Sequence, residues 1–162
     1  MFREVSRNKK QILSNEKAVS ILEKCSSGVL SLLGDDDYTY GVPMSYAYND
    51  GKLYFHSAKK GHKIDAVTGH DRVSFTVIET DQIVPEEFTT YFRSVIVFGK
   101  IRLTFSDAEM RKALNLLVEK YSPGYEESGK STIEKSIGGV QIIVLDIEHI
   151  SGKEAIEFAE AK

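Results

Sequence analysis

Two strand-like runs flank Asp50-Gly51, and this dipeptide constrains the fold more than any other part of the sequence. Asp-Gly between apolar runs is a strong signal for a tight hairpin turn, because both central residues of that turn need a positive φ. The run from Lys52 to His56 is therefore predicted to pair antiparallel with the region of Tyr46.

The other apolar runs predict a mainly β, α+β protein with a closed antiparallel sheet. Pro43 indicates an edge or a bulge, and Gly99 indicates a bend of the kind a barrel corner needs. Strands are expected over 29–33, 38–48, 52–56, 72–78, 90–105 and 140–147, with a short C-terminal tail after the last. A first helix is expected from Ser14 or Asn15 to Gly28, a helical turn over 63–67, and a second helix after a capping box at Ser106 and Glu109. The segments 79–88 and 125–136 are expected to be irregular.

Composition narrows the class of protein. With 162 residues, 41% of them hydrophobic, residues 1–162 are expected to form one domain behind an N-terminal arm, 1–13. A formal charge of −3 provides no general attraction to nucleic acid or to anionic lipid. The single cysteine, Cys25, is interpreted as a buried structural thiol, and no apolar run is long enough to span a membrane. We therefore expect a soluble, cytoplasmic protein.

The stretch from His56 to Lys63 is the candidate binding segment. It delivers imidazole, hydroxyl and ammonium donors and Gly61 to the start of a helix, which is an arrangement that suits a phosphate. A solvated basic turn has the same composition, so composition leaves both interpretations open. No Walker loop, G-x-G-x-x-G turn or G-x-S-x-G elbow occurs, and the four histidines lack a metal-ligand spacing, so no metal site is predicted.

The order of motifs resembles the FMN-binding split-barrel superfamily that includes pyridoxamine 5′-phosphate oxidase, and within it the nitroimidazole-resistance (Nim) flavoproteins. No single piece is specific, but the ordered set covers nearly the whole chain. The pieces are Val42-Pro43-Met44-Ser45-Tyr46, residues 50–58, Gly61-His62-Lys63-Ile64-Asp65, Arg72-Val73-Ser74-Phe75, residues 91–99, Asp146-Ile147-Glu148 and Gly152-Lys153-Glu154.

The resemblance implies an antiparallel split β-barrel of Greek-key character with a few flanking helices, in a homodimer with FMN at the interface. It places the isoalloxazine ring along Pro43 to Ser45, where main-chain groups do much of the recognition. Ser94 takes the position of an amide side chain that approaches the flavin in the oxidase branch. The cofactor-binding residues implied are Val42, Pro43, Met44, Ser45, His56, Ser57, Ala58, Lys59, Lys60, His62, Lys63 and Ser94.

Three functions remain open at this point. The first is an FMN-dependent oxidoreductase that takes electrons from a nicotinamide or other donor and reduces a nitro-aromatic or quinone-like acceptor, with His56 as catalytic proton donor. The second is a flavin- or haem-binding module without turnover. The third is a pyridoxamine 5′-phosphate oxidase, which is disfavoured because the C-terminus lacks that branch's Arg-x-His element. Lys153 is interpreted either as a neighbour of the cofactor or as a solvated tail residue.

Overall fold

The computed structural model describes residues 2–5 and 8–160. In these residues the chain forms seven strands and five α-helices, joined in part by short 3₁₀ turns. The strands are β1 (Ser27–Leu33), β2 (Thr39–Ser45), β3 (Ala47–Asn49), β4 (Lys52–Ala58), β5 (Arg72–Val84), β6 (Thr89–Thr104) and β7 (Val140–Glu154). The helices are α1 (Asn15–Lys24), α2 (His62–Gly69), α3 (Asp107–Tyr121), α4 (Glu126–Ser136) and α5 (Ile156–Glu160).

All seven strands lie in one antiparallel sheet in the order β2-β1-β5-β6-β7-β4-β3. The sheet edges are β2 and β3, which are consecutive in the chain and separated only by Tyr46. The sheet must therefore curl until its two edges meet at this residue. The result is a split barrel: the sheet is open, not closed as expected from the sequence, and its two edges are joined by the chain at Tyr46, with a gap in the hydrogen-bond pairing between them.

Tyr121, the last residue of α3, bridges this gap. Its hydroxyl accepts a hydrogen bond from the Tyr46 N–H at 2.9 Å. The same oxygen lies 2.5 Å from the Ser26 carbonyl oxygen and 2.9 Å from the Tyr46 carbonyl oxygen, so it can donate to one of them. Backbone groups that lack a ladder partner at this gap therefore form hydrogen bonds with the Tyr121 hydroxyl instead.

The main core fills the barrel. Alternating residues of β1, β5 and β6 point inward, including Leu30, Phe75 and Val97, and none of these three exposes any surface. Helix α1 and helix α2 contribute apolar side chains to the same core. A smaller cluster forms on the outer side of β4 and β7, where α3 covers Tyr54, Ile142 and Val144.

No helix covers the outer face of β2, β1, β5 and β6 in the described residues. Val29, Ile78 and Ile96 point outward from three neighbouring strands and are 40%, 62% and 36% exposed. Such a contiguous apolar patch on a sheet face is typical of an interaction surface. None of the described helices is long and apolar enough to cross a membrane.

A bulge in β5 shapes the edge of this face. The β5–β6 register shifts between Ile78 and Thr80, which leaves Glu79 as the extra residue. Arg93 Nη1 lies 2.8 Å from Glu79 Oε2, and Arg93 Nε lies 3.1 Å from an oxygen of Glu154, which is fully buried. One guanidinium thus compensates a buried and a half-buried carboxylate.

Several sequence predictions are confirmed. Strand β3 pairs with β4 across Asp50-Gly51, with Ala47 opposite Tyr54. Pro43 lies on the edge strand β2, and the register of β6 against β7 shifts between Phe98 and Gly99. A side chain at Gly99 would collide with the Asp146 carbonyl oxygen, so the bend needs glycine.

Other predictions were wrong. Residues 79–84 are not a loop but the second half of β5, and only the short turn over 85–88 separates β5 from β6. Residues 125–136 form α4, and the last strand continues to Glu154, so Lys153 is a strand residue and not part of a solvated tail. Helix α1 ends at Lys24, whereas Gly28 lies in β1, where a Cβ would strike Phe75.

The capping box before α3 is half formed. Ser106 Oγ accepts from the Glu109 N–H at 3.4 Å. The Glu109 carboxylate does not complete the box, because both of its oxygens accept from Arg102, at 2.8 and 2.9 Å. Arg102 also donates to Asp146, which ties the start of α3 to β6 and β7.

This ion pair predicts a pH dependence of stability. Hydrogen bonds from Arg102 hold the pKa of Glu109 at about 2, below its ordinary value of 4.5. A lowered pKa contributes stability above pH 4.5 that is lost as the pH falls towards 2. Between pH 6 and pH 3, we expect the free energy of unfolding of Glu109→Gln to fall by about 1–2 kcal/mol less than that of the wild type, allowing for solvent screening. Urea denaturation at both pH values measures this difference, and equal losses in the two proteins would contradict it.

Candidate functional site

A cavity of about 440 Å³ opens where β4 passes into α2. It is lined by most of the segment that the sequence singled out, together with one residue of β2, the first residue of β7 and the residue before it. The lining residues are Tyr40, His56, Ser57, Ala58, Lys60, Gly61, His62, Lys63, Gly139 and Val140. Hydroxyl, ammonium and imidazole groups therefore converge on one concave surface.

The N-terminus of α2 adds backbone donors to this cavity. Gly61 caps the helix with φ of 121°, a conformation that residues with a Cβ rarely adopt. The cap provides no side-chain acceptor, and the first helical bond runs from the Ile64 N–H to the Gly61 oxygen at 2.8 Å. The N–H groups of His62 and Lys63 thus have no helical acceptor and can bind an anion.

A second, more apolar cleft of about 660 Å³ adjoins the first. His56 lines both, and Ser45 lines the second. Its other walls are α3, α4 and the turn between them, with Leu114, Leu117, Val118, Tyr121, Ser122, Tyr125, Ser128, Gly129, Thr132, Ile133 and Ser136. An anion-binding cavity and an apolar cleft that meet at one imidazole together suit a ligand with a phosphate and a flat ring.

Two members of the predicted phosphate loop take other positions. Lys59 is exposed and does not line the cavity. The His62 ring stacks on Tyr40, with 4.1 Å between the ring centres, and its Nε2 lies 3.8 Å from an Asp35 oxygen. His62 lines the cavity, but its side chain is already engaged with Tyr40 of β2, whereas its backbone N–H remains available at the start of α2.

The predicted ring-binding segment of β2 divides between the two faces of the sheet. Val42 and Met44 pack in the barrel core, so only their main-chain groups can reach a ligand. Pro43 and Ser45 are exposed on the outer face. Because β2 is an edge strand, one row of its N–H and C=O groups is free of sheet pairing.

Ser94 does not lie at the phosphate loop but in the same outer row as Ser45. Ser45 pairs with Ser27, and Ile78 pairs with Ser94. Continuing the β1–β5 register by two residues brings Ser27 beside Ile78, so the row crosses four adjacent strands. Three strand spacings place Ser94 about 14 Å from Ser45. Lys153 follows in this row, opposite Ser94, with its Nζ 5.3 Å from the Phe92 ring centre.

Several cleft residues carry no sequence signal of function. Helix α4 has one buried residue, Ile133, and its Gly and Ser content is typical of a loop. A Cβ at Gly129 would meet Val118, so this glycine allows α4 to pack closely on α3. In the sequence, Tyr121 is an ordinary position on the apolar face of α3, and only the tertiary structure shows that it bridges the gap in the sheet.

Cys25 is half buried at the C-terminal end of α1 and packs against the core. Burial, with a smaller effect of Glu79, raises the pKa of its thiol. A raised pKa disfavours the reactive thiolate, as the structural interpretation of this cysteine expects.

Known structures share this fold. A candidate 5-nitroimidazole antibiotic resistance protein from Bacteroides thetaiotaomicron matches at 19% identity, 88% coverage of this chain, 86% of the other chain and a TM-score of 0.72. The flavocytochrome from Azotobacter vinelandii matches at 21% identity, with 93% and 72% coverage and a TM-score of 0.79. A FAD-binding protein from Mesorhizobium loti matches at 26% identity, with 90% and 97% coverage and a TM-score of 0.64.

The sequence itself finds no match among curated proteins. A model of the pyridoxamine 5′-phosphate oxidase family, in contrast, matches residues 14–154, from the cap of α1 to the end of β7. That range includes the whole sheet, the segment from His56 to Lys63 and both clefts. The chain belongs to the pyridoxamine 5′-phosphate oxidase family of split β-barrels.

Proposed function

We propose that this protein binds a flavin, FMN in the simplest case, with its phosphate in the cavity between β4 and α2. The observation that carries the proposal is the convergence of Ser57, Lys60, Lys63 and the free N–H groups of α2 on one cavity. Charge-assisted hydrogen bonds of this kind suit a phosphate dianion. The family match and the FAD-binding relative support a flavin as the ligand.

The flavin ring is proposed to lie against the outer face along Pro43 to Ser45. Exposed Pro43 and the free edge of β2 offer it an apolar surface and main-chain hydrogen bonds. Ser94, in the same row as Ser45, marks the far side of this face. A bound flavin supplies reversible hydride and electron transfer, which no amino-acid side chain provides.

A homodimer is proposed to cover this face. The outward apolar side chains Val29, Ile78 and Ile96 are exposed in the single chain and adjoin the proposed ring position. A second copy would bury them and shield the ring from water, which fits the implied position of FMN at the interface. Sedimentation of the purified protein measures this oligomeric state, and a monomer at micromolar concentration would contradict it.

The proposed reaction is the reduction of a nitro-aromatic or quinone-like acceptor with electrons from a nicotinamide donor. The acceptor is placed in the cleft under α3 and α4, whose walls are largely apolar. His56 lies where this cleft meets the phosphate cavity, so its imidazole can deliver a proton to a bound acceptor. Ser45, which lines the same cleft, can orient a polar group of the acceptor.

Replacing His56 with Gln tests this assignment. Because a positioned general acid contributes about 10²–10⁴ in rate, we expect at least a tenfold loss of acceptor-dependent NADH or NADPH oxidation at saturating FMN. The FMN dissociation constant should change less than threefold, since Ser57 and the lysines remain. Steady-state assays with a nitroimidazole and a benzoquinone measure the rate. Unchanged turnover would remove His56 from the mechanism, and no turnover in the wild type would favour a binding module.

A further inference from the structure

A third groove, of about 960 Å³, lies at the other end of the uncovered outer face. It is separate from the two cavities described above and shares no lining residue with them. Strands β1, β2, β5, β6 and β7 and the turn after α2 form it, and Phe2 closes one side. Its residues are Phe2, Ser31, Leu32, Leu33, Thr39, His70, Arg72, Val73, Ser74, Phe98, Gly99, Lys100 and Glu148.

Two cations are neighbours in this groove, and neither forms an ion pair among the described residues. Arg72 and Lys100 are direct partners in the β5–β6 register, and both are exposed. Like charges directly opposite each other destabilise a sheet. Asp146, opposite Lys100 on β7, is already bound by Lys52 and by Arg102.

Arg72 differs in this respect from the other arginines of the sheet and helices. Arg93, Arg102 and Arg111 each bind two carboxylates. An arginine that is left unpaired beside a lysine, in a chain of net charge −3, is a local anion site, because its planar guanidinium matches the oxygens of a phosphate. His70, two residues earlier, adds an imidazole to the same groove.

The rest of the groove complements a nucleoside. Leu33 and Phe98 offer an apolar wall, and Phe2 extends it by stacking on His149 with 4.8 Å between ring centres. Glu148 is the extra residue of the bulge in β7, and its carboxylate lines the groove without an ion pair among the described residues. A carboxylate next to cations can accept hydrogen bonds from ribose hydroxyls while the cations hold the phosphates.

We propose that this groove binds the adenosine diphosphate group of a dinucleotide. Arg72 and Lys100 bind the diphosphate, Glu148 accepts from the ribose, and the base lies against Leu33 and Phe98. A nicotinamide donor carries this group and has both of its phosphates available for this groove. FAD also carries it, but the flavin-side phosphate is already assigned to the cavity between β4 and α2. Thr39, which lines the groove, lies four residues along β2 from Pro43, or about 13 Å, so a donor whose nicotinamide lies at the proposed ring position can extend into the groove.

Calorimetric titration of the purified full-length protein with ADP tests the site. We expect saturable binding to the wild type and at least a tenfold weaker affinity in Arg72→Ala/Lys100→Ala, since both cations that bind the diphosphate are removed. The matched control is Lys24→Ala/Lys135→Ala, which removes two exposed lysines elsewhere and should bind ADP as the wild type does. Thermal unfolding confirms that both variants are folded. No binding to the wild type, or equal affinity in the two variants, would overturn the proposal.

Further measurements identify the source of the group. We expect Arg72→Ala/Lys100→Ala to raise the KM for NADH or NADPH and to leave the affinities for FMN and FAD unchanged. A variant that weakens FAD binding relative to FMN and leaves this KM unchanged would overturn the assignment to the donor. Lys60→Ala/Lys63→Ala should leave ADP binding intact, so a failure of the flavin site can be distinguished from a failure of this one.

Discussion

Replacing Lys60 and Lys63 together with alanine is expected to weaken FMN binding about 100-fold and riboflavin binding less than threefold. Both lysines line the cavity between β4 and α2, and neither has an ion pair within the described residues. Their ammonium groups are thus available to a phosphate, which FMN carries and riboflavin lacks. Flavin fluorescence titration measures both dissociation constants.

Lys59→Ala is the matched control for this experiment. Lys59 belongs to the same basic loop and carries the same charge, but it does not line the cavity. We expect it to weaken FMN less than threefold, through long-range attraction alone. Equal losses for FMN and riboflavin in the double variant would place the phosphate elsewhere, and a large loss in Lys59→Ala would indicate a general charge effect.

The second prediction with a large expected effect concerns the stability of the fold. Arg93→Ala is expected to lower the free energy of unfolding by about 3–5 kcal/mol, because it leaves the fully buried Glu154 carboxylate without this cation. The same change removes the partner of Glu79 at the β5 bulge and the contact of the guanidinium with Phe158, 4.6 Å from its ring centre. Urea denaturation measures the loss.

Arg111→Ala is the control that separates the effect of leaving a buried carboxylate unpaired from the effect of losing one positive charge. Arg111 also binds two carboxylates, those of Asp107 and Glu134, but both are largely exposed. Exposed ion pairs contribute about 0–1 kcal/mol, so this variant should remain close to the wild type. Arg93→Met/Glu154→Leu should recover part of the loss, since no buried charge remains. A cost below 1 kcal/mol for Arg93→Ala would contradict the role of Arg93 as the cation that compensates Glu154.

Local chemistry explains which parts of the fold can be predicted from the sequence. Asp50-Gly51, Pro43 and Gly99 each restrict the backbone at one position, and the structure has a turn, an edge strand and a bulge there. The loop from His56 to Lys63 is recognisable for the same reason, because its donors are adjacent in sequence and its cavity is formed largely by them.

Features that depend on tertiary contacts could not be predicted. The second half of β5 is rich in polar residues and looks like a loop, yet it is paired along its length with β6. Helix α4 lacks an apolar stripe because it packs on α3 mainly through Gly129 and Ile133. Ser45 and Ser94 share an outer row only because β1 and β5 lie between them in the sheet.

The central claim is that the cavity between β4 and α2 and the outer face along Pro43 to Ser45 together bind a flavin. Titrating the purified protein with FMN, while absorbance and flavin fluorescence are recorded, tests this claim most directly. We expect saturable binding of one FMN per chain, with a shifted flavin absorbance band and a change in fluorescence. A protein that is colourless and alters neither the absorbance nor the fluorescence of FMN or FAD would contradict the account.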